Sequence, residues 1–183
     1  MKNVTQVFED GIDREVLIDK NKIKARVCEL GIEISKDYNG KRPVVVGILK
    51  GSFIFLADLA RELDTNLRPV FDFMVISSYV GTESSGLPKI DKDLSIDVSG
   101  REVLLVEDIV DNGYCIDSAL KHLRTKSPGS IKVCSLLSKP SRRKINVHID
   151  YLGFEIEDKW VEGYGLDTDQ ENRHLPDIWY RKV

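Results

Sequence analysis

Four short runs constrain the fold more than anything else in the sequence: PVVVGIL (43–49), PVFDFMVISSY (69–79), EVLLV (102–106) and SIKVCSLLS (130–138). They are rich in β-branched and other apolar residues, and each is far too short to cross a membrane. Such runs predict strands covered on both faces, as in a parallel sheet. Helical periodicity fills the gaps. Residues 19–37 bring Ile23, Val27, Leu30 and Ile34 onto one face among charges, and Asn39-Gly40 marks the turn that follows. Gly31 weakens that helix without forbidding it. SFIFLADLAREL (52–63) predicts a second helix with Ser52 as its N-cap. YCIDSALKHLRTK (114–126) predicts a third, closed by Ser127-Pro128-Gly129. Strands alternating with helices make βαβ units, so the predicted fold is α/β, a doubly wound, mostly parallel sheet flanked by helices.

The rhythm fails in two places. Residues 80–100 are rich in Gly, Ser, Asp and Lys and predict a long loop, with a short hairpin in it. Beyond residue 138 the runs HIDYLGFEI and KWVEGYG predict a small β-rich hood over one end of the sheet. The expected organisation is a single domain: a core over about 38–138 and a hood formed mainly by about 139–183 with the N-terminal segment. The chain has 183 residues, enough to bury a core without staples.

A net charge of −3 argues against nucleic acid as a partner, which would call for a basic face. Cys28, Cys115 and Cys134 are odd in number and form no CxxC pair, which points to a reducing cytoplasm and away from a thiolate zinc site. The charged start MKNVTQVFEDGIDRE lacks the apolar core of a signal peptide, and no run is long enough for a membrane span.

Ligands of an open parallel sheet bind beyond the carboxyl ends of its strands. Three segments fall there: Leu49-Lys50-Gly51-Ser52, Ser77-Ser78-Tyr79, and VEDIVDNGYC (106–115). The last closes a buried run with Glu107 and Asp108, adds Asp111, and enters a helix through Asn112-Gly113. Three readings are open: a metal site, a solvated acidic turn, or a site for a polyhydroxylated, phosphorylated molecule. The strand-end position favours a ligand. A helix N-terminus behind Gly113 offers backbone N–H groups to an anion, while ionised carboxylates accept from vicinal hydroxyls. A ribose 5-phosphate has this polarity. No Gly-x-x-x-x-Gly-Lys-Ser/Thr and no complete Gly-x-Gly-x-x-Gly occurs.

VEDIVDNGYCIDSAL closely resembles the phosphoribosylpyrophosphate (PRPP) signature of the type I phosphoribosyltransferases. VVVGILKGSFIFLADL, FDFMVISSYVGTESSG, LLSKPSRR and LGFEIEDKWVEGYGLD resemble the hypoxanthine-guanine branch in order and spacing. The resemblance runs from about residue 19 to about 178. It implies exchange of the pyrophosphate of PRPP for hypoxanthine or guanine, giving IMP or GMP, through a transition state resembling an oxocarbenium ion that carboxylates stabilise. It further implies Mg²⁺ as cofactor, a homodimer or homotetramer, and no membrane partner.

Residue by residue, the resemblance assigns Glu107 and Asp108 to the ribose hydroxyls, directly or through Mg²⁺. It assigns Asp111 to general acid/base work near N7 of the purine. The loop Asp111, Asn112, Gly113, Tyr114 and Cys115 wraps the 5-phosphate. Lys50 and Gly51 match the pyrophosphate loop, with a cis peptide before the lysine. Ser78 and Tyr79 match the start of a mobile loop that closes over the site. Lys139 matches the donor to the 6-oxo group, which selects against adenine. Trp160 sits where an aromatic, usually phenylalanine, stacks on the base, and Val161 where the backbone meets the purine edge. Asp167 matches a ligand of a second Mg²⁺, and Arg173 an arginine reaching pyrophosphate.

His122, His148 and His174 read as surface or packing residues. Arg142-Arg143-Lys144 reads as a solvated basic patch or as a pyrophosphate contact across a subunit interface. The chain departs from the family at Asn112 and Cys115, where Thr or Ser is usual, and at Thr168 and Asn172, where aromatics are common. A thiol is a weak donor, so Cys115 is expected to weaken the phosphate grip. Two alternatives stand beside the leading reading: a xanthine-preferring enzyme, and a non-catalytic sensor of PRPP or nucleotides. Asp111, Lys139 and Trp160 together argue against a pure sensor.

Overall fold

A computed structural model describes residues 5–7, 11, 13–77 and 88–182 of the chain. Ser78 and Tyr79 lie outside the described residues. Helix α1 (Lys20–Asp37) begins at Asp19, whose side chain accepts from the N–H groups of Asn21 and Lys22. It is followed by strand β3 (Val44–Leu49), helix α2 (Phe53–Glu62), strands β4 (Val70–Ser77), β5 (Lys89–Lys92) and β6 (Glu102–Val110), helix α3 (Tyr114–Arg124), and strands β7 (Ser130–Ser138) and β8 (Tyr151–Glu155). These strands form one sheet in the order β5-β4-β3-β6-β7-β8, with only the β4–β5 pair antiparallel. The expected doubly wound, mostly parallel sheet is present. The short hairpin expected within 80–100 takes the form of β5 folding back on β4.

A second, antiparallel sheet holds β1 (Thr5–Val7), β2 (Asp13–Ile18), β10 (Ile178–Arg181) and β9 (Val161–Glu162), in that order. This is the hood. It differs from the expected one at HIDYLGFEI, because β8 pairs in parallel with β7 and belongs to the main sheet. The hood instead recruits β2 against β10.

Strand alternation explains the two-sided core. Val45, Leu104, Val106, Cys134 and Leu136 face α1 and α2, meeting Ile23, Val27, Leu30, Ile34, Phe55 and Leu59. Val44, Val46, Ile48, Val103, Leu105 and Val133 face α3, meeting Ile116, Ala119 and Leu123. A period of two along each strand supplies both layers from one run, which is why the runs read as continuously apolar.

Two local expectations change. Ser52 occupies the N-cap position of α2 but caps nothing; its Oγ donates back to the Ile48 carbonyl at 2.6 Å. Gly31 is not merely tolerated. A Cβ there would stand 2.6 Å from Glu62 Cβ and 2.7 Å from Glu62 O, so the missing side chain lets α1 lie against the end of α2. Helix propensity alone expects Gly31→Ala to stabilise the chain by about 1 kcal/mol. The packing predicts the opposite, a loss of about 1–3 kcal/mol by overpacking. In urea unfolding this appears as a lower midpoint at unchanged slope.

Candidate active site

Strands β3 and β6 are neighbours, paired in parallel from Val44↔Val103 to Gly47↔Val106. The chain leaves β3 through α2 towards β4 and leaves β6 through α3 towards β7, on the opposite side. The crossovers therefore part at the carboxyl ends of β3 and β6, and a crevice opens between them. The loops from both strands converge there.

Strand β6 runs further than its apolar stretch. Glu107 and Asp108 lie within it, not after it, still paired with β7 as far as Val110↔Ser138. Glu107 is only 6% exposed. Its Oε1 faces the Cys115 thiol at 3.9 Å, while Oε2 is buried without a hydrogen-bond partner. Burial, then the neighbouring Asp108, pushes the Glu107 carboxyl well above the ordinary carboxylate range. Burial also raises Asp108, against the pull of the Ile109 N–H, a hydrogen bond with Glu107 and the nearby Arg173. A buried carboxyl beside a partly buried one, with an oxygen that no other protein group reaches, leaves room for a partner that donates protons or carries positive charge. A hard divalent cation or a pair of sugar hydroxyls fits there. Among the described residues no three His, Cys, Asp or Glu side chains converge as a complete metal cage. Asp167 therefore does not join this pair in one shell. A cation here would complete its shell from ligand oxygens and water.

The β3 loop faces this pair. The Leu49–Lys50 peptide is cis, as the resemblance implies. A Cβ on Gly51 would overlap the Asp108 carboxylate, and one on Gly165 would overlap the Gly51 carbonyl. Both positions are closed to any side chain, so the β3 loop, the end of β6 and the hood stay in contact. Lys50 Nζ donates to Gln170 Oε1 at 2.9 Å. Arg173 Nη2 lies 2.8 Å from Asp167 Oδ1, and Nη1 donates to the Gly165 carbonyl at 2.8 Å. Lys50, Gly51, Asp167 and Arg173 are thus one neighbourhood, although 116 residues separate Gly51 from Asp167.

Past β6 the chain turns through Asn112 and Gly113 into α3. Gly113 has φ +92°, and a Cβ there would strike the Ile145 carbonyl, so glycine is required twice over. Asn112 Oδ1 accepts from the Tyr114 N–H at 3.0 Å, and its carbonyl accepts from the Lys144 and Ile145 N–H groups at 3.0 and 3.1 Å. The remaining first-turn N–H groups of α3 have no intrahelical acceptor, which suits such a helix start to an anion. The Cys115 thiol is turned to Glu107 and packs against the α3-side core. Burial and the two acids push the Cys115 thiol pKa up.

At the other end, Asp111 is ion-paired with Arg142 Nε at 2.8 Å, and Arg142 also lies 3.4 Å from Asp158. Both acids raise the Arg142 pKa. Arg143 donates to the Val110 carbonyl and to Ser138 Oγ. The basic cluster is therefore engaged within its own chain, not left as a free patch. Lys139 is 6% exposed; burial lowers its pKa, and Asp111 and Asp158 partly oppose that. Trp160 stands 61% exposed, with Nε1 donating to Thr168 Oγ1 at 2.7 Å, while Val161 is buried and paired with Tyr180. His122 and His148 lie at Asp93 and Asp150, outside this cluster. A cavity of about 480 Å³ lined by Ile23, Ile54, Asp58, Tyr164 and Leu175 holds none of these residues, so converging charge marks the site better than volume does.

Sequence reasoning missed Gln170, Thr168, Glu162 and the Asp111–Arg142 pair. Only Thr168 carried a signal, as a departure from the family pattern.

Residues 14–169 match the family model described as phosphoribosyl transferase domain. The hypoxanthine phosphoribosyltransferase of Escherichia coli (strain K12) is 46% identical over 167 residues, covering 90% of this chain and 93% of its own. The hypoxanthine-guanine phosphoribosyltransferase of Aquifex aeolicus (strain VF5) is 47% identical over 168 residues, with the same coverage. A crystal structure of a hypoxanthine phosphoribosyltransferase from Staphylococcus aureus superposes with a TM-score of 0.86 at 42% identity, covering 92% of this chain and 91% of that one.

Glu107→Gln keeps the volume, removes an ionisable group from beside Asp108 and supplies an amide donor to it. It is expected to raise the melting temperature of the ligand-free protein by roughly 2–4 °C, the shift for about 1 kcal/mol in a chain of this size. A divalent cation should raise the wild-type melting temperature and shift the variant less, in a thermal scan with and without metal.

Proposed function

The chain belongs to the phosphoribosyl transferase family, and we propose that the β3–β6 crevice carries out the family's exchange with the roles divided along its length. The enzyme is a purine-salvage pentosyltransferase: it moves the 5-phosphoribosyl group of PRPP onto hypoxanthine or guanine, giving IMP or GMP and pyrophosphate. The observation that carries the assignment of roles is buried Glu107 beside partly buried Asp108 at the switch point, with the start of α3 on one side and a buried lysine on the other.

Glu107 and Asp108 accept from the ribose hydroxyls, directly or through Mg²⁺. Their negative charge also stabilises the positive charge that develops at the anomeric carbon as pyrophosphate departs. When bound, a divalent cation would supply positive charge to the departing pyrophosphate; Glu107 and Asp108 would hold one ion and Asp167 a second. Lys50, the Gly51 backbone and Arg173 face the leaving group. Asn112, Gly113, Tyr114 and Cys115 surround the 5-phosphate through backbone N–H groups. Asp111 handles the proton at N7 of the purine, and the Arg142 contact keeps its carboxylate oriented. Lys139 donates to the 6-oxo group, which adenine lacks. Trp160 offers its face to the base, with the Val161 backbone at the purine edge. The reading also takes residues 1–183 as a single domain, working in the cytoplasm as a homodimer or homotetramer.

Incubation with PRPP and Mg²⁺, offering hypoxanthine, guanine, xanthine and adenine separately, should yield nucleotide with the first two. No product from any base would overturn the enzyme reading. Asp111→Asn should cut turnover well over tenfold, within the roughly 10²–10⁴-fold range of general acid–base catalysis; near-normal turnover would make Asp111 structural. Lys139→Gln should leave a folded protein whose kcat/KM for hypoxanthine falls by roughly tenfold or more. An unchanged value would remove Lys139 from base recognition.

A further inference from the structure

Trp160 is a large, mostly exposed aromatic, yet its one polar atom is tied down: Nε1 donates to Thr168 Oγ1 at 2.7 Å. Thr168 is itself buried, and its side chain lies close enough to the Glu162 carboxylate to help lower that group's pKa. Glu162 is fully buried, held by Arg14 Nε and by Asn172 Nδ2 at 3.2 Å, with Arg181 3.8 Å away. Burial alone would raise the Glu162 pKa, but the contacts with Thr168, Arg14 and Asn172 more than offset it and keep the carboxylate ionised.

That fixes every direction in the chain of contacts. An ionised carboxylate only accepts. The single Thr168 proton therefore turns to Glu162, and a hydroxyl lone pair is left for the indole N–H. Arg14 on β2 orients Glu162 on β9, Glu162 orients the Thr168 hydroxyl, and Thr168 sets the Trp160 ring. The outer member is exposed; the inner ones are not.

We propose that Arg14, Glu162 and Thr168 form a relay that orders the Trp160 ring before a planar heterocycle arrives, with Thr168 as its positioning residue. The proposal rests on Trp160 being the base-stacking residue. A freely rotating indole gives up rotamer freedom when a base stacks on it, and a tethered one has already given it up. The relay therefore acts on binding of the base and not on the bond-changing step.

A double-mutant cycle tests this. Thr168→Val keeps the shape and removes the acceptor; it should raise the KM for hypoxanthine by roughly three- to tenfold, with kcat within about twofold. In a Trp160→Phe background, where the ring has no N–H to tether, the same substitution should move KM by less than about twofold. Equal effects in both backgrounds, or none in the first, overturn the relay. Because Thr168→Val also removes a hydroxyl beside buried Glu162, a second variant leaves the interior intact: benzothienylalanine at position 160, an indole isostere without the N–H, should reproduce the KM increase. Thr168→Ser should restore the wild-type value. In the free protein, the Nε1–H resonance of Trp160, distinguished from that of Trp179 by its loss in Trp160→Phe, should exchange slowly and lose that protection in Thr168→Val. Unprotected exchange in the wild type overturns the relay by itself. Slow exchange with no KM change in Trp160→Ala leaves the tether standing but removes the stacking premise, and the proposal falls with it.

Discussion

A buried carboxyl and a partly buried one stand side by side on a central strand and set the terms for the residues around them. An uncompensated buried charge is costly, and a second one of the same sign next to it more so. A core selected for stability alone would not keep Glu107 and Asp108 there, one of them with an orphaned oxygen. The neighbours are arranged so that the pair stays accessible to a ligand. Gly51 has no side chain because any Cβ would overlap Asp108, and Gly165 has none because the hood must reach the Gly51 carbonyl. Arg173 lies near enough to Asp108 to lower its pKa, yet its guanidinium is spent on Asp167 and Gly165. On the proposed reading the substrate and its cation supply the remaining compensation.

The chemistry then follows the length of the crevice. Backbone N–H groups at the start of α3 suit a phosphate, the carboxyl pair suits hydroxyls and developing positive charge, and the hood supplies groups for the base. Asp111 stands between these regimes. Its ion pair with Arg142, which also reaches Asp158, couples the end of β6 to the segment carrying Trp160. The order of partners along the crevice matches the order of groups along a ribonucleotide.

Fold and site were unequally legible in the sequence. Strands buried on both faces and helices with one apolar stripe are local patterns, and β3, β7, α1 and α2 fall within a residue of their expected bounds. The boundary of β6 was misjudged because acids ordinarily end a buried strand; here the strand continues through them for the sake of the ligand. Strand β8 was assigned to the hood because a five-residue strand carries no sign of which sheet it joins, and β2 was recruited by pairing with β10 across 160 residues. The candidate residues were named from their motifs, and the structure brings Lys50, Gly51, Asp108, Asp167 and Arg173 into one neighbourhood. Their mutual contacts were not legible. Lys50 with Gln170, Arg142 with Asp111 and Arg14 with Glu162 are long-range or hood contacts that no local spacing encodes.

The departures from the family pattern become intelligible only as sets. Taken singly, a tryptophan where phenylalanine is usual, and Thr168 and Asn172 where aromatics are common, look like three unrelated losses of pattern. In the folded chain they depend on one another. An indole brings an N–H that needs an acceptor, and Thr168 provides it. Thr168 needs a fixed acceptor for its own proton, and Glu162 is the carboxylate beside it. Glu162 needs donors to remain ionised when buried, and Asn172 joins Arg14 in supplying them. The same logic applies at the other end of the crevice. Asn112 uses its side-chain oxygen to brace the Tyr114 N–H, and the Cys115 thiol turns towards Glu107. Residues coupled this closely are not exchangeable one at a time. A position-by-position comparison therefore overlooks what Trp160, Thr168 and Asn172 do together.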